Sequence, residues 1–208
     1  MTPPVITRQD TKTRLLEAGI ELMYEKGYSN TGIQEVLVRV GVPKGSFYHY
    51  FESKEDFALK IIEHHDQKCR ARLERILRNA EVSPLARLRN YCEEGKRDLE
   101  ERNCRKGCLI GNLSQEMADQ SEILRTALSD VMARWRDFFT TCIAEGQSVG
   151  ELSQIWPAAK LAELFLSGWE GAIMRAKSSK SLEPLDVFID LMFTHILQTK
   201  PTLCADAR

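Results

Sequence analysis

The chain has 208 residues, 43% of them hydrophobic, which is enough to bury a core in one or two domains. Ala158 to Met174 is the nearest thing to a long apolar run, but Lys160, Glu163 and Glu170 interrupt it, so no membrane span is expected. Net charge is −1, which excludes a strongly basic surface and leaves room for a few placed contacts to nucleic acid.

Charge is uneven along the chain. Residues 1–60 carry eight Lys/Arg and eight Asp/Glu, residues 61–106 twelve and nine, and residues 107–208 nine and thirteen. The first half is neutral to mildly basic and the second acidic. The amino terminus lacks a basic segment followed by an apolar one, so it does not read as a signal peptide. Cys69, Cys92, Cys104, Cys108, Cys142 and Cys204 are dispersed, as expected of reduced thiols in a cytoplasm.

Helical periodicity dominates and no stretch alternates like a strand, so the fold class expected is all-α. Asp10 to Lys26 places Leu15, Leu16, Ala18, Gly19, Leu22 and Met23 on one face, with Gly27 as the stop. Thr31 is the expected N-cap of a short second helix running to about Val40, and Gly41 breaks it. Pro43 suits the first turn of a third helix. Ser53 caps a longer fourth helix towards Leu77, with Glu55 and Asp56 in its first turn. Ser83-Pro84 opens the next helix, which ends near Arg102-Asn103, and Gly107 and Gly111 interrupt the pattern. Further helices are expected at about Gln115 to Ala118, Glu122 to Gly146, Pro157 to Lys177 and Pro184 to Thr199. The last two are apolar over wide faces, as in a central core or a subunit interface. Leu203 to Arg208 reads as a frayed tail.

Three short helices with a tight turn before the third fit a helix-turn-helix. Phe47 and Phe51 lie four apart and can both face inward. That leaves Lys44, Ser46, Tyr48 and His49 pointing outward, with hydroxyl and ammonium groups of the kind that reach phosphates and base edges. Gly45 permits close backbone approach. Gln34 on the second helix could pair with an adenine edge, and Lys54 sits where a flanking phosphate would pass. The alternative is that Tyr48, His49 and Tyr50 are only an aromatic rim on a small core.

The segment from about Lys12 to Leu59 resembles the DNA-binding domain of the TetR family of bacterial transcriptional regulators. The matching residues are Ala18 to Leu22, Glu25-Lys26-Gly27-Tyr28, Thr31, Gly41-Val42, Gly45-Ser46-Phe47-Tyr48, Tyr50-Phe51 and Lys54-Glu55. The resemblance implies phosphate contacts from Thr31, Tyr48 and Lys54 and base approach by Gln34, Lys44 and Ser46, with His49 and Tyr50 lining the same surface. Gly32 departs from the family's frequent second threonine, and Pro43 from a frequent serine cap. Gly107 to Glu116 and Gly168 to Lys177 resemble the subgroup containing the acrylate-utilisation regulator, and more weakly the N-ethylmaleimide reductase regulator. This implies a homodimer released from double-stranded operator DNA by a small-molecule effector, with a DNA-binding domain at residues 1–54 and an effector-binding and dimerisation domain at 55–208.

For the effector end, Cys108 follows Gly107 close to Arg105 and Lys106, and nearby cations raise a thiol's thiolate fraction. It reads either as a target of electrophiles or as a small core residue. The resemblance leaves a small unsaturated carboxylic acid such as acrylate, or an electrophile acting covalently at Cys108, as the effector. Cys104 and Cys108 could share a helix face, but no further ligands stand at metal-site spacing. Trp169 could wall a pocket or contact a second subunit. Arg175 and Lys177 could neutralise a ligand carboxylate or sit as helix-end cations. Asn112, Trp135 and Glu170 are weaker pocket candidates, and a carboxylate ligand needs a further cation if it is to lie beside Glu170. No phosphate-binding loop, dinucleotide fingerprint, HExxH or nucleophile elbow is present, so no catalysis and no cofactor are expected.

Overall fold

The structure is a computed structural model and describes residues 8–198. Cys204 and the Leu203–Arg208 tail lie outside these residues. The described chain is all-helical: α1 Arg8–Lys26, α2 Ile33–Val40, a 3-10 segment Lys44–His49, α3 Lys54–Leu77, α4 Pro84–Glu101, α5 Leu109–Met117, α6 Glu122–Ser148, α7 Ala158–Ser179 and α8 Glu183–Leu191, continued by a π turn Met192–Ile196. No described helix is long and apolar enough to cross a membrane.

Two compact units emerge. One takes the chain up to Lys68 together with Leu109–Val131, and the other takes Cys69–Cys108 and the chain from Met132 onward. A cut at residue 54 describes a different partition, because α5 and the start of α6 pack into the first unit and α3 and α6 supply residues to both.

In the first unit α1 buries Leu15, Leu16, Leu22 and Met23 as its periodicity requires. Gly27, at φ 80°, ends it and donates its N–H to Met23 O at 3.0 Å. Thr31 does not cap α2. The N-cap is Gly32 with no side-chain bond, while the Thr31 hydroxyl turns back to donate to Gly27 O at 2.7 Å. A buried hydroxyl needs a partner, and the open carbonyl at the end of α1 is nearer to hand than the amides of α2. Gly41, at φ 74°, closes α2 by donating to Leu37 O.

The expected third helix is a 3-10 segment. Pro43 stands just before it as its N-cap, its carbonyl accepting the Ser46 N–H at 2.9 Å, and Tyr50 N–H reaches Phe47 O at 2.9 Å. Six residues are too few to sustain an α ladder, and the tighter turn carries Phe47 and Phe51 inward together. Their rings pack at 5.1 Å and meet Phe57 of α3 at 5.2 and 4.7 Å, and all three are essentially unexposed. Each such side chain contributes about 1.5–3 kcal/mol by burial. Gly19 of α1 makes this possible, since a Cβ there would lie 2.5 Å from both Phe57 Cζ and Ile61 Cδ1. At the start of α3, Ser53 Oγ accepts Asp56 N–H and the Asp56 carboxylate accepts Glu52 N–H, each at 3.0 Å. This is a reciprocal cap.

The α1–α2 turn is held from α5. Glu116 accepts the backbone N–H groups of Tyr28 and Ser29, both at 2.8 Å. Lys54 Nζ donates to Ser29 O at 3.1 Å and lies 4.5 Å from the Tyr28 ring centre. Burial pushes the Glu116 carboxyl up, but the Ser29 and Tyr28 donors and nearby Lys54 outweigh it and hold the pKa below its ordinary value. Gly27 leaves room for this clamp, because a Cβ there would meet Glu116 Oε2 at 2.5 Å.

In the second unit, Ser83 caps α4 and Pro84 fills its first turn as the sequence implies. Gly111 and Asn112 do not interrupt a helix. They lie within α5, which begins at Leu109 rather than near Gln115, because Leu109, Ile110 and Leu113 bury together and override the low propensity of glycine. The actual break is Asn103–Gly107, where Asn103, Cys104, Lys106 and Gly107 all have φ of 51–70°. Cys104 is therefore in a left-handed turn and shares no helix face with Cys108. α6 passes through Gly146, where Leu152 packs at 2.6 Å from a would-be Cβ, and runs on to Ser148. The core is aromatic: Tyr91, Phe139, Phe165, Trp169, Phe188 and Phe193 form a chain of ring contacts between 4.9 and 6.3 Å.

Two outcomes follow. Gly19→Ala is expected to lower stability, because overpacking of about 1–3 kcal/mol outweighs the helix-propensity gain of about 1 kcal/mol; urea denaturation measures the balance. Glu116→Ala should cost on the order of 1 kcal/mol. A carboxylate with a lowered folded-state pKa contributes fully above its unfolded value, and the contribution fades as pH falls through the folded one. Thermal melts of Glu116→Gln should therefore converge on the wild type at acid pH and fall below it at neutral pH.

Candidate DNA-reading surface and effector site

The buried Phe47, Phe51 and Phe57 cluster fixes which side of the 3-10 segment faces outward. Lys44, Gly45, Tyr48 and His49 are exposed, and Ser46 and Tyr50 are half-buried. Tyr48 is 59% exposed while its ring meets Phe47 edge-on at 5.4 Å, so the hydroxyl projects from a ring anchored at its base. A Cβ on Gly45 would meet nothing within 4 Å, which leaves backbone open to close approach. Gln34 is exposed on α2. Arg14 of α1 holds the end of that helix by donating to Val40 O at 2.7 Å.

Two expected phosphate ligands have other engagements. Thr31 is 2% exposed, with its hydroxyl spent on Gly27 O, so its side chain is a turn fastener rather than a surface contact. Lys54 is half-buried against Tyr28 and Ser29, and burial lowers its pKa, with Glu116 opposing and Lys26 adding to the shift.

In the second unit the cysteines divide by surroundings. Burial raises the Cys92 thiol well above its ordinary pKa and pushes Cys142 up to about 12, so both remain protonated. Cys108 is half-buried at the end of the left-handed loop, and its thiol donates a hydrogen bond to the Glu170 carboxylate of α7. Burial raises Glu170 to about 7, with the thiol pulling the other way. Tyr91 of α4 stands beside both. Burial raises its phenol well above the ordinary value, Glu170 and Cys108 add to that, and Arg72 opposes it.

Arg72 of α3 is the cation of this cluster. Its Nη1 donates to Asp98 Oδ2 at 2.6 Å, and its Nε lies 2.9 Å from Glu94 Oε1 without the alignment of a hydrogen bond. Nη2 is buried and has no acceptor among the described residues. The guanidinium lies 5.7 Å from the Tyr91 ring centre. A Cβ on Gly95 would fall 2.7 Å from the Trp169 ring and 3.7 Å from Arg72 Nη2, so this glycine admits both.

The structure thus gathers Cys108, Trp169 and Glu170 around Tyr91 and Arg72. Trp169 is 2% exposed and packs on Tyr91 at 6.0 Å and Phe188 at 5.7 Å, which makes it an interior wall and excludes it as a surface contact. Trp135 is buried on α6 and Lys177 is half-buried on α7. Asn112 belongs to the first unit. Arg175 does not join Cys108. It is exposed and lines an open groove of about 650 Å³ between α7 and α8, with Leu164, Gly168, Val187, Leu191 and Ile196. At 3.6 residues per turn, a position five after Glu170 points well away from it. Arg72 and Tyr91 gave no sequence signal, because their partners are far along the chain. The nearest hint is glycine at 95 within an otherwise well-formed helix.

Comparison with known proteins agrees with this geometry. Residues 15–61 match the family "Bacterial regulatory proteins, tetR family", and residues 84–192 match "Tetracyclin repressor-like, C-terminal domain". The chain is 40% identical over 183 residues to the transcriptional regulator AcuR of Cereibacter sphaeroides, covering 88% of this chain and 84% of that one. It is 34% identical over 192 residues to the transcriptional repressor DhaR of a Mycobacterium species, covering 92% and 95%. The crystal structure of reduced NemR from E. coli superimposes with a TM-score of 0.86 at 30% identity, covering 92% of this chain and 98% of that one. These relatives are regulators of transcription and not enzymes. The chain belongs to the TetR family of bacterial transcriptional regulators.

Proposed function

We propose that the chain is a cytoplasmic repressor that binds a near-palindromic operator as a homodimer and leaves it when a small effector binds the second unit. One observation carries the DNA part: Lys44, Ser46, Tyr48 and His49 project from a 3-10 segment pinned by three buried phenylalanines. Gln34 and Gly45 extend that surface towards bases, while Tyr50 and Lys54 border it. Two such heads would read half-sites about one helical turn apart.

Dimerisation is supported by the outer face of α7 and α8, which exposes Leu164, Met174, Val187 and Leu191. Gly171 faces open space there, so a partner helix could approach closely. The effector reading is supported by the cluster of Arg72, Tyr91, Cys108, Trp169 and Glu170. Cys108 is followed directly by α5, and α5 carries the Glu116 clamp on the α1–α2 turn. A ligand that binds the released form better by about 1–3 kcal/mol lowers operator affinity about 5–150-fold.

The left-handed residues before Cys108 and its bond to Glu170 favour a second reading, covalent sensing. A thiolate would add to the terminal carbon of a conjugated alkene, forming an S–C bond, and the displaced π pair would take up a proton at the carbon next to the carbonyl.

The deciding experiment is a gel shift on DNA upstream of the gene, repeated with acrylate and propionate. Failure to shift any neighbouring promoter would sink the regulator reading. Release by both acids supports reversible recognition of a carboxylate. Release by acrylate alone, lost in Cys108→Ser and accompanied by an adduct mass on Cys108, supports the covalent reading. Lys44→Ala is expected to weaken operator binding by about 1–3 kcal/mol with an unchanged melting temperature. Leu191→Asp should convert dimer to monomer in sedimentation and abolish tight operator binding, since one head covers only one half-site.

A further inference from the structure

All four backbone groups of Tyr28 and Ser29, at the centre of the α1–α2 turn, are engaged. The two N–H groups go to the two oxygens of Glu116, both at 2.8 Å. Tyr28 O accepts Thr31 N–H at 3.1 Å, and Ser29 O accepts Lys54 Nζ at 3.1 Å. Before and after them, Gly27 O takes the Thr31 hydroxyl at 2.7 Å and Lys26 O takes the Asn30 amide at 3.1 Å. Ser29 and Asn30 are exposed, a position where turns commonly leave such groups to water. Here two charged side chains from other helices hold them instead. Glu116 belongs to α5, which joins this compact unit from far along the chain, and Ser121 Oγ adds a second strut by donating to Glu55 Oε1 at 2.6 Å. Lys54 Nζ also lies over the Tyr28 ring, 4.5 Å from its centre, so its ammonium is spent on the turn. α2 starts at Ile33, directly after this turn, and takes its direction from it.

Resting on the DNA-reading part of the function above, we propose that Glu116 and Lys54 are positioning residues for operator reading. Together they lock the Tyr28–Ser29 turn and so aim α2, and Lys54 acts through Ser29 O and the Tyr28 ring rather than by touching a phosphate. A head whose turn is loose binds only through the fraction of molecules in which α2 is correctly aimed, and apparent affinity falls by that fraction. The sign of the effect separates positioning from plain electrostatics. Removing a negative charge from a DNA-binding unit by itself strengthens attraction to the polyanion. Removing the charge of Glu116 weakens binding, because the turn is released. Both groups act on one turn, so their losses do not add. A phosphate contact leaves a different mark. Each phosphate neutralised adds about 0.9 to the slope of log affinity against log salt, or about 1.8 for a dimer that makes the contact once per head.

The test is fluorescence anisotropy of the full chain on the DNA fragment it shifts, across about 50–200 mM salt, with melts showing that each variant is folded at the assay temperature. Glu116→Gln keeps one acceptor oxygen and sets an amide donor against the other N–H. It should weaken operator binding about fivefold or more with an unchanged salt slope. Lys54→Gln should weaken binding by a similar factor, again with the slope unchanged, and the double variant should bind about as poorly as the weaker single one. A slope shallower by about 1.8 in Lys54→Gln makes Lys54 a phosphate ligand and overturns its assignment. Wild-type or tighter binding by Glu116→Gln overturns the positioning role, as do single losses that multiply in the double variant. If Glu116→Gln does not fold, Glu116→Asp, which keeps both acceptors on a shorter stem, takes its place under the same expectations. If the wild-type chain binds no DNA, the regulator reading falls and this proposal with it. If the wild type binds and only the variants disagree, the regulator reading stands and the positioning role alone falls.

Discussion

One carboxylate fixes the geometry of the reading head. Beyond Gly27 the chain leaves the α1 ladder, and Glu116, 88 and 87 residues further on, accepts the turn's Tyr28 and Ser29 N–H groups. Everything after that turn inherits its position: Thr31 folds back on Gly27 O, Gly32 starts α2, Arg14 anchors the end of α2, and the 3-10 segment follows. The clamp works only because residue 27 lacks a side chain and tolerates a left-handed backbone. Lys54, on the first turn of α3, reaches the same turn from the other side. A surface that must fit a rigid duplex is thus held by charge-assisted bonds to backbone, which cannot rotate away as side-chain partners can.

The two units solve opposite problems. The head buries rings and displays polar tips, the usual division when the partner is polar. The second unit exposes Leu164, Met174, Val187 and Leu191 on one face of α7 and α8, and holds Arg72, Tyr91 and Glu170 half-buried beside its aromatic core. Buried polar atoms without a hydrogen-bond partner, here Arg72 Nε and Nη2, destabilise a fold. The left-handed Asn103, Cys104 and Lys106 add strain of about 1–3 kcal/mol each next to the same cluster. Strain and desolvated charge at one place distinguish this part of the core from the plain aromatic chain of Phe139, Phe165 and Phe193 beside it.

Local chemistry was legible in the sequence wherever one residue type has a single use. Gly27 and Gly41 as helix stops, Ser53 and Ser83 as caps, and the inward pair Phe47 and Phe51 all stand as the pattern implies. Residues with several uses were not decided by pattern. Thr31 has a hydroxyl that suits a cap, a phosphate or a carbonyl, and the carbonyl of Gly27 took it. Gly111 looked like a break, yet α5 runs through it because its neighbours bury. Convergence across the chain was invisible: Arg72, Tyr91, Gly95, Cys108 and Glu170 come from four separate segments, and no spacing rule links them. Arg175, chosen from its place on an apolar helix, turned out to face the outer groove.

Burial and a thiol act on Glu170 in opposite directions and hold it between two charge states. As a carboxylate it accepts a hydrogen bond from the Cys108 thiol. As a neutral acid it carries no charge into the core. At about 7 the group sits between these states, so neither is costly to reach near neutral pH. A cation placed against Glu170 would have locked it in the charged form, and full isolation would have locked it neutral. Burial opposed only by the thiol bond leaves it poised.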